Sequence, residues 1–323
     1  MSSAKPLASL SLDLDNQWSY MKTHGDPGWE ALPSYLDVFI PYVLDVLDEL
    51  HLKLTVFIVG QDAALDQHRD LLPLLTARGH EVGNHSFHHE PWMHAFSKDR
   101  IRRELLDTEE HILRVTGQKP TGFRAPGFSW SPALIEVLSE CGYAYDASTL
   151  PTYLGPLARA YYFRRSRLDS DARSQRSFLF GRFSDGFQPV KPFYWELASG
   201  QTLLELPVTT MPIVKMPFHL SYLLYLSRFS LPLMKSYLTL ALTLCRVTGT
   251  QPSFLLHPLD LLGGEQVPAL SFFPGMDVSA SQKLQILRTV LDLVAQSFDL
   301  VPTSTYVDSI SKRDHLRRIP CHR

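Results

Sequence analysis

The sequence predicts an α/β fold in which parallel strands, each followed by a helix, close or partly close into a barrel. Short apolar, β-branched runs alternate with segments of helical period along most of the 323 residues, the pattern of a parallel sheet covered by helices. Acidic, basic and imidazole side chains recur just past those runs, and a barrel gathers its chemistry at the C-terminal ends of its strands. Composition agrees: 45% hydrophobic and 20% charged residues suffice for a large core, taken here as one domain over residues 1–323.

The first strand, residues 8–14, alternates apolar and polar positions, and residues 34–50 then place Leu36, Phe39, Ile40, Val43, Leu44 and Leu47 at helical spacing. Residues 53–59 read as a strand and 63–77 as a helix, with Gly79 as its stop before a strand at 80–84. Ser97 is placed to cap a helix running to about residue 116, which Gly117 and Pro120 end ahead of a strand at 121–124. Ser131 and Pro132 fit the N-cap and first turn of a helix ending near Gly142, followed by a strand at 143–145. Later strands are expected at 202–208, 253–257 and 300–302, with an amphipathic helix over 279–298 before the last.

Two stretches break this rhythm. Residues 150–200 lack clear periodicity and carry Arg159, Arg164, Arg165, Arg167, Arg173, Arg176 and Arg182 against Asp169 and Asp171 up to that point. This basic insertion reads either as a lid over a site or as a solvated face. Residues 211–246 form an apolar insertion that Lys215, Arg228, Pro232 and Lys235 interrupt, so no uncharged run approaches the roughly 20 residues that span a bilayer. Two amphipathic helices split near Pro232 are expected, packed on the core or on another copy of the chain in a homo-oligomer; contact with a membrane surface is the other reading. A formal net charge of -2 gives no global attraction to nucleic acid, and none is expected as a partner. Cys141, Cys245 and Cys321 are few and odd in number, which argues for a reducing compartment, and residues 1–6 do not resemble a secretory signal; a cytoplasmic address is expected.

The chemistry collects in two tight pairs. Asp13 and Asp15 end the first strand, and His85 and His89 follow the third. A carboxylate plus two imidazoles is a common three-ligand set for a divalent metal that keeps one position open, which points to metal-assisted hydrolysis. Arg124, Asp146 and His257 fall at other strand ends. Were the 85–89 turn helical, residues i and i+4 would share a face, leaving His88 as a support or substrate contact. His80, Asp146 and Glu205 read equally well as structural residues or as part of the mouth; Trp18, Trp29, Trp130 and Trp195 read first as packing residues, and Trp18, closest after Asp15, is the one best placed to meet a sugar.

In order, these motifs resemble the polysaccharide deacetylase family built on the NodB homology domain. Asp13 and Asp15 are similar to its acidic first motif, here Asp-Leu-Asp where many members have adjacent aspartates. Gly79 to Gly83 leading into His85 and His89 matches its His-x-x-x-His motif, Arg124-Ala125-Pro126 its Arg-x-Pro, and Leu255-Leu256-His257 its Leu-x-His. Asp146 is the nearest counterpart by order of a further acidic motif, with Asp260 a competing partner for His257. The resemblance implies a distorted (β/α)7-type barrel with helical or irregular insertions. It implies Asp15, His85 and His89 as ligands of one divalent metal, zinc first, with cobalt, nickel or iron also accepted. Asp13 would be the general base, Arg124 the residue that orients it, and His257 the acid for the leaving amine. Trp18, His88, Pro126, Phe128, Asp146 and Glu205 would face the substrate. The activity implied is removal of an N-acyl group, acetyl first, from an amino sugar or similar small amide. The 205–212 segment also resembles a branch acting on a lipid-phosphate-linked amino sugar, and a carbohydrate-binding protein without hydrolysis is the third reading.

Overall fold

The computed structural model describes residues 5–165, 168, 170–176, 179, 181–312 and 316–321; Arg167 and Asp169, and the side chain of Arg165, lie outside the described residues. The strands are β1 (Leu7–Leu14), β2 (Thr55–Ile58), β3 (Glu81–Asn84), β4 (Gly122–Phe123), β5 (Tyr145–Asp146), β6 (Phe193–Glu196), β7 (Thr202–Glu205), β8 (Ser253–Leu256), β9 (Asp299–Val301) and β10 (Arg317–Pro320). Among the described residues they form one sheet in the order β10-β6-β7-β5-β4-β3-β2-β1-β8, with β9 also paired to β1. Every pairing is parallel except β6 with β7. Past β7 the ladder gives way to single bonds: Val208 N–H donates to Thr149 O, Thr209 N–H to Ser253 O, and Ser253 N–H to Thr209 Oγ1. This lacing brings β8 round towards β5 and β7 and makes the sheet a distorted, partly closed barrel.

The helices follow from capping and apolar period. α1 (Gln17–His24) is capped by Asn16, and α2 (Leu36–Glu49) buries Phe39, Ile40, Val43, Leu44 and Leu47 on the outer face of the sheet. The helix expected over 63–77 is instead α3 (Gly60–Ala64), a 3-10 turn at Asp66–His68 and α4 (Pro73–Ala77). Pro73 lacks the N–H that a continuous helix needs and starts a new one. α5 (Lys98–Thr116) and α6 (Pro132–Glu140) begin at Ser97 and Ser131, each of which accepts an N–H in the first turn.

The basic stretch is more ordered than its sequence suggests: it holds α7 (Gly155–Arg165) and α8 (Ser170–Gln175), and its end supplies β6, where Phe193 and Trp195 are buried. In the apolar stretch α9 (Leu220–Ser227) and α10 (Leu231–Thr248) meet at a break, with Ser230 capping α10 and Pro232 in its first turn. α11 (Ala280–Ser297) fits expectation, whereas α12 (Thr303–Ser311), rich in Thr and Ser, is held by the buried Tyr306, Val307 and Ile310.

Candidate active site

Strand β1 sets the site through its alternation. Ala8, Leu10, Leu12 and Leu14 pack among the helices, which turns Ser11, Asp13 and then Asp15 towards the barrel mouth. Register brings the other strand ends level. Leu12 pairs with Leu256, so Asp13 and His257 are next in line, and Asn84 pairs with Phe123, so His85 and Arg124 are also adjacent.

Asp15 Oδ1 lies 3.2 Å from His85 Nε2 and 2.8 Å from His89 Nε2, and ligand atoms of the three residues all lie within 4.8 Å of one another. His85 Nδ1 sits 2.7 Å from the carbonyl oxygen of Arg124, which only accepts, so Nδ1 carries the proton and Nε2 aims its lone pair at Asp15. Two acceptors facing each other in a buried site require positive charge between them, from a proton or from a metal ion. Burial by itself would raise the Asp15 carboxyl, yet with both imidazoles protonated the charge of His89 and hydrogen bonds from both rings hold it well below the usual carboxylate range. The donor set fits a divalent metal.

The loop carrying the histidines is not helical, contrary to the i, i+4 argument: Ser86 and His89 have φ of 61° and 50°. Its shape is imposed from outside. Glu104 on α5 accepts the N–H groups of Phe87 and His88 at 2.9 and 3.0 Å and pairs with His88 Nδ1 at 2.7 Å. Gly60 N–H donates to Ser86 O, and a Cβ on Gly60 would come within 2.6 Å of the Phe87 ring, so only glycine permits this approach. On the opposite side, the Tyr35 hydroxyl donates to Asp15 O at 2.6 Å.

Asp13 is set apart from the triad. Arg124, 0% exposed, donates from Nη1 to Asp13 Oδ1 at 2.7 Å and Ser11 Oγ at 2.9 Å, and from Nε to Ala147 O at 3.0 Å, with its guanidinium 4.3 Å from the Phe57 ring centre. His257 turns Nε2 towards Asp13 Oδ2, 3.9 Å away, and Nδ1 towards Asp260 Oδ2, 3.5 Å away. Asp260 also accepts the His257 N–H, so Asp260 rather than Asp146 supports this histidine. Burial pulls the His257 imidazole down, but the hydrogen bond and charge of Asp260, with Asp13 and Asp15, push it up to about 9.

The chain is 31% identical over 128 residues to a peptidoglycan deacetylase of Helicobacter pylori, covering 40% of this chain and 41% of that one. It is 30% identical over 136 residues to a chitooligosaccharide deacetylase of Sinorhizobium fredii, covering 40% and 62%. A candidate polysaccharide deacetylase from Mycobacterium smegmatis superposes with a TM-score of 0.61 at 19% identity, over 99% of this chain and 95% of that one. Residues 26–145 match the polysaccharide deacetylase family. The fold extends beyond deacetylases: the Puue allantoinase superposes with a TM-score of 0.57 at 15% identity, over 98% and 94%. The matched segments span less than two thirds of either curated relative.

Within this polysaccharide deacetylase fold several expected substrate contacts lie elsewhere. Trp18 is 1% exposed and donates its indole N–H to Asp62, so it packs edge-on beside His89 instead of offering a face to a sugar. Asp146 and Glu205 are fully buried cross-strand partners beneath the mouth; Glu205 accepts from Thr149 and Trp195, and Asp146 from Ser148. Neither carboxylate can touch a substrate. His88 points to Glu104 as a loop anchor. Pro126 is buried at the start of a 3-10 turn, while Phe128 lines a cleft of about 150 Å³ with His94, Trp130 and Arg182. His80 lies at the opposite end of the sheet, where burial lowers it to about 4 and its Nδ1 accepts from Leu54 N–H. A larger cleft of about 390 Å³ opens at Pro6, Arg246 and Gln251, also at the strands' N-terminal ends, away from these groups. Sequence reasoning missed Glu104 and Asp62. Glu104 left a signal, an acid on the apolar face of α5 shared with Ile101, Leu105, Thr108 and Ile112.

Proposed function

We propose that this protein is a metal-dependent hydrolase that removes an N-acyl group, acetyl first, from an amino sugar or a similar small amide. One observation carries the reading: a carboxylate and two imidazoles converge at the mouth beside an Arg124-held carboxylate and a histidine that faces it. Asp15, His85 and His89 would hold one divalent cation, zinc first, with cobalt, nickel or iron compatible with the same donors. When bound, the cation supplies Lewis-acid chemistry, polarising an amide carbonyl and lowering the pKa of a neighbouring water.

The chain's own residues supply the proton transfers. Asp13, ionised and fixed by Arg124, takes the proton of the attacking water at its free Oδ2 side. His257, which Asp260 keeps protonated, delivers a proton from Nε2 to the leaving amine. Arg124 stays charged and moves no proton. A cytoplasmic address belongs to the proposal, supported by three free cysteines, and favours a soluble or carrier-linked substrate over assembled polymer.

The second reading keeps the reaction and places the amide on a lipid-phosphate-linked sugar; the apolar surface beside the mouth favours it. Screening metal-loaded protein against N-acetyl and N-formyl amino sugars and cyclic amides tests the reaction class. Acid release from a linear amide supports it, and tight sugar binding with no release across the panel would assign the protein to binding instead.

A further inference from the structure

We infer that α9, α10 and the loop before them form a surface that docks on an anionic lipid bilayer, next to the catalytic mouth. Twelve of the sixteen large hydrophobic side chains exposed among the described residues lie between Leu157 and Val247, and nine of these follow residue 211. They are not scattered. On α10, Leu233, Leu240 and Val247 recur every seven residues at 49%, 53% and 79% exposure, an outward apolar stripe of about 20 Å at 1.5 Å per residue. At the α9–α10 junction Tyr225, Phe229 and Leu231 extend it. The tight loop closed by the hydrogen bond from Met211 N–H to Met216 O adds Ile213, Val214 and Met216, with Ile213 at a φ of 74° that β-branched residues rarely adopt. Lys215 reaches Gln188 O, which brings Phe187, 71% exposed, to the same edge.

Charge selects the occupant. Residues 206–259 contain no Asp or Glu but include Lys215, Arg228, Lys235 and Arg246, in a chain whose net charge is -2. Arg228 is paired to Asp277, and Lys235 stands exposed on α10. Apolar and aromatic side chains with interspersed cations and no acids suit an interface rich in anionic headgroups. A second copy docked through the same face would set these cations against their own kind, with Asp277, already paired to Arg228, the acid at its edge. None of the described helices is long and apolar enough to cross a membrane, so the surface lies on the bilayer.

The mouth is close by. His219, at the start of α9, lies 6.1 Å ring to ring from His257, and Ser221 Oγ is 3.3 Å from His257 Nδ1, one turn before the exposed Tyr225. Docking through this face therefore holds the site near the lipid headgroups. The inference does not depend on hydrolysis, and Asp13→Asn should dock as the unaltered chain does.

Flotation of the full chain with vesicles of phosphatidylcholine, with or without phosphatidylglycerol, tests it. The protein should float with the anionic vesicles at low salt and much less with phosphatidylcholine alone. Phe229→Glu with Leu233→Glu should abolish flotation, Lys235→Gln should weaken it about fivefold, and Leu113→Glu, an exposed position on α5, should leave it unchanged. No flotation at low salt would overturn the proposal. So would unchanged flotation of the double variant, or light scattering that shows a dimer which the double variant splits.

Discussion

Replacing Arg124 with Leu should cost more stability than any surface change, and the cost should depend on Asp13. Arg124 is fully buried and makes three hydrogen bonds through Nη1 and Nε. Its loss strands a carboxylate that is 3% exposed, which costs about 3–5 kcal/mol for a buried pair broken on one side. The unpartnered Ala147 carbonyl adds about 1 kcal/mol or more. In Arg124→Leu with Asp13→Asn no charge is stranded, so the double variant should recover about 2–3 kcal/mol relative to the sum of the single changes. Urea unfolding followed by tryptophan fluorescence reads this as a shift in midpoint at constant slope. Additivity within about 0.5 kcal/mol would refute the pairing on which the role of Asp13 rests.

Three further outcomes follow from the same geometry. Activity that needs protonated His257 is lost as pH rises through its pKa, so Asp260→Asn, which removes the main group raising it, should move the alkaline limb of the pH–rate profile to lower pH; an unmoved limb would remove Asp260 from the mechanism. Burial raises Asp146 to about 6, and burial with the charge of Asp146 raises Glu205 well above its ordinary value. Stability from this pair is complete below about pH 4, the unfolded carboxyl range, and is lost as pH rises through about 6 and beyond. Asp146→Asn should flatten that loss in melts run from pH 4 to 8, and an unchanged slope would contradict it. Zinc at a hundred times its Kd should stabilise the chain by about 2.7 kcal/mol in thermal melts. His89→Ala should abolish that shift, and a full shift in the variant would place the metal elsewhere.

The strands that build the mouth were legible because β1 alternates cleanly and Ser97 and Ser131 announce the helices that follow. Asp15, His85 and His89 could be gathered from sequence because each follows a strand of the same parallel sheet, and parallel pairing puts such ends on one side. What stayed hidden was set by contacts distant in sequence. Trp18 is covered because its indole meets Asp62, and Glu104, although its place on the apolar face of α5 marks it as unusual, gains its role only when the 85–89 loop folds onto it. β10 escaped notice because two arginines and a proline are tolerated on an edge strand, where pairing with β6 decides the conformation. The 85–89 turn misled because positive φ at Ser86 and His89 comes from clamping by α3 and α5, which spacing does not encode.

The central claim is that Asp13 moves the proton while Asp15, His85 and His89 hold the metal. Metal content and acetate release, measured together on the unaltered chain and on Asp13→Asn with an N-acetylated amino sugar, test it directly. The expected result is one equivalent of metal in both proteins and acetate from the unaltered chain alone. Acetate released by Asp13→Asn at the full rate, or loss of the metal with that single change, would contradict the assignment.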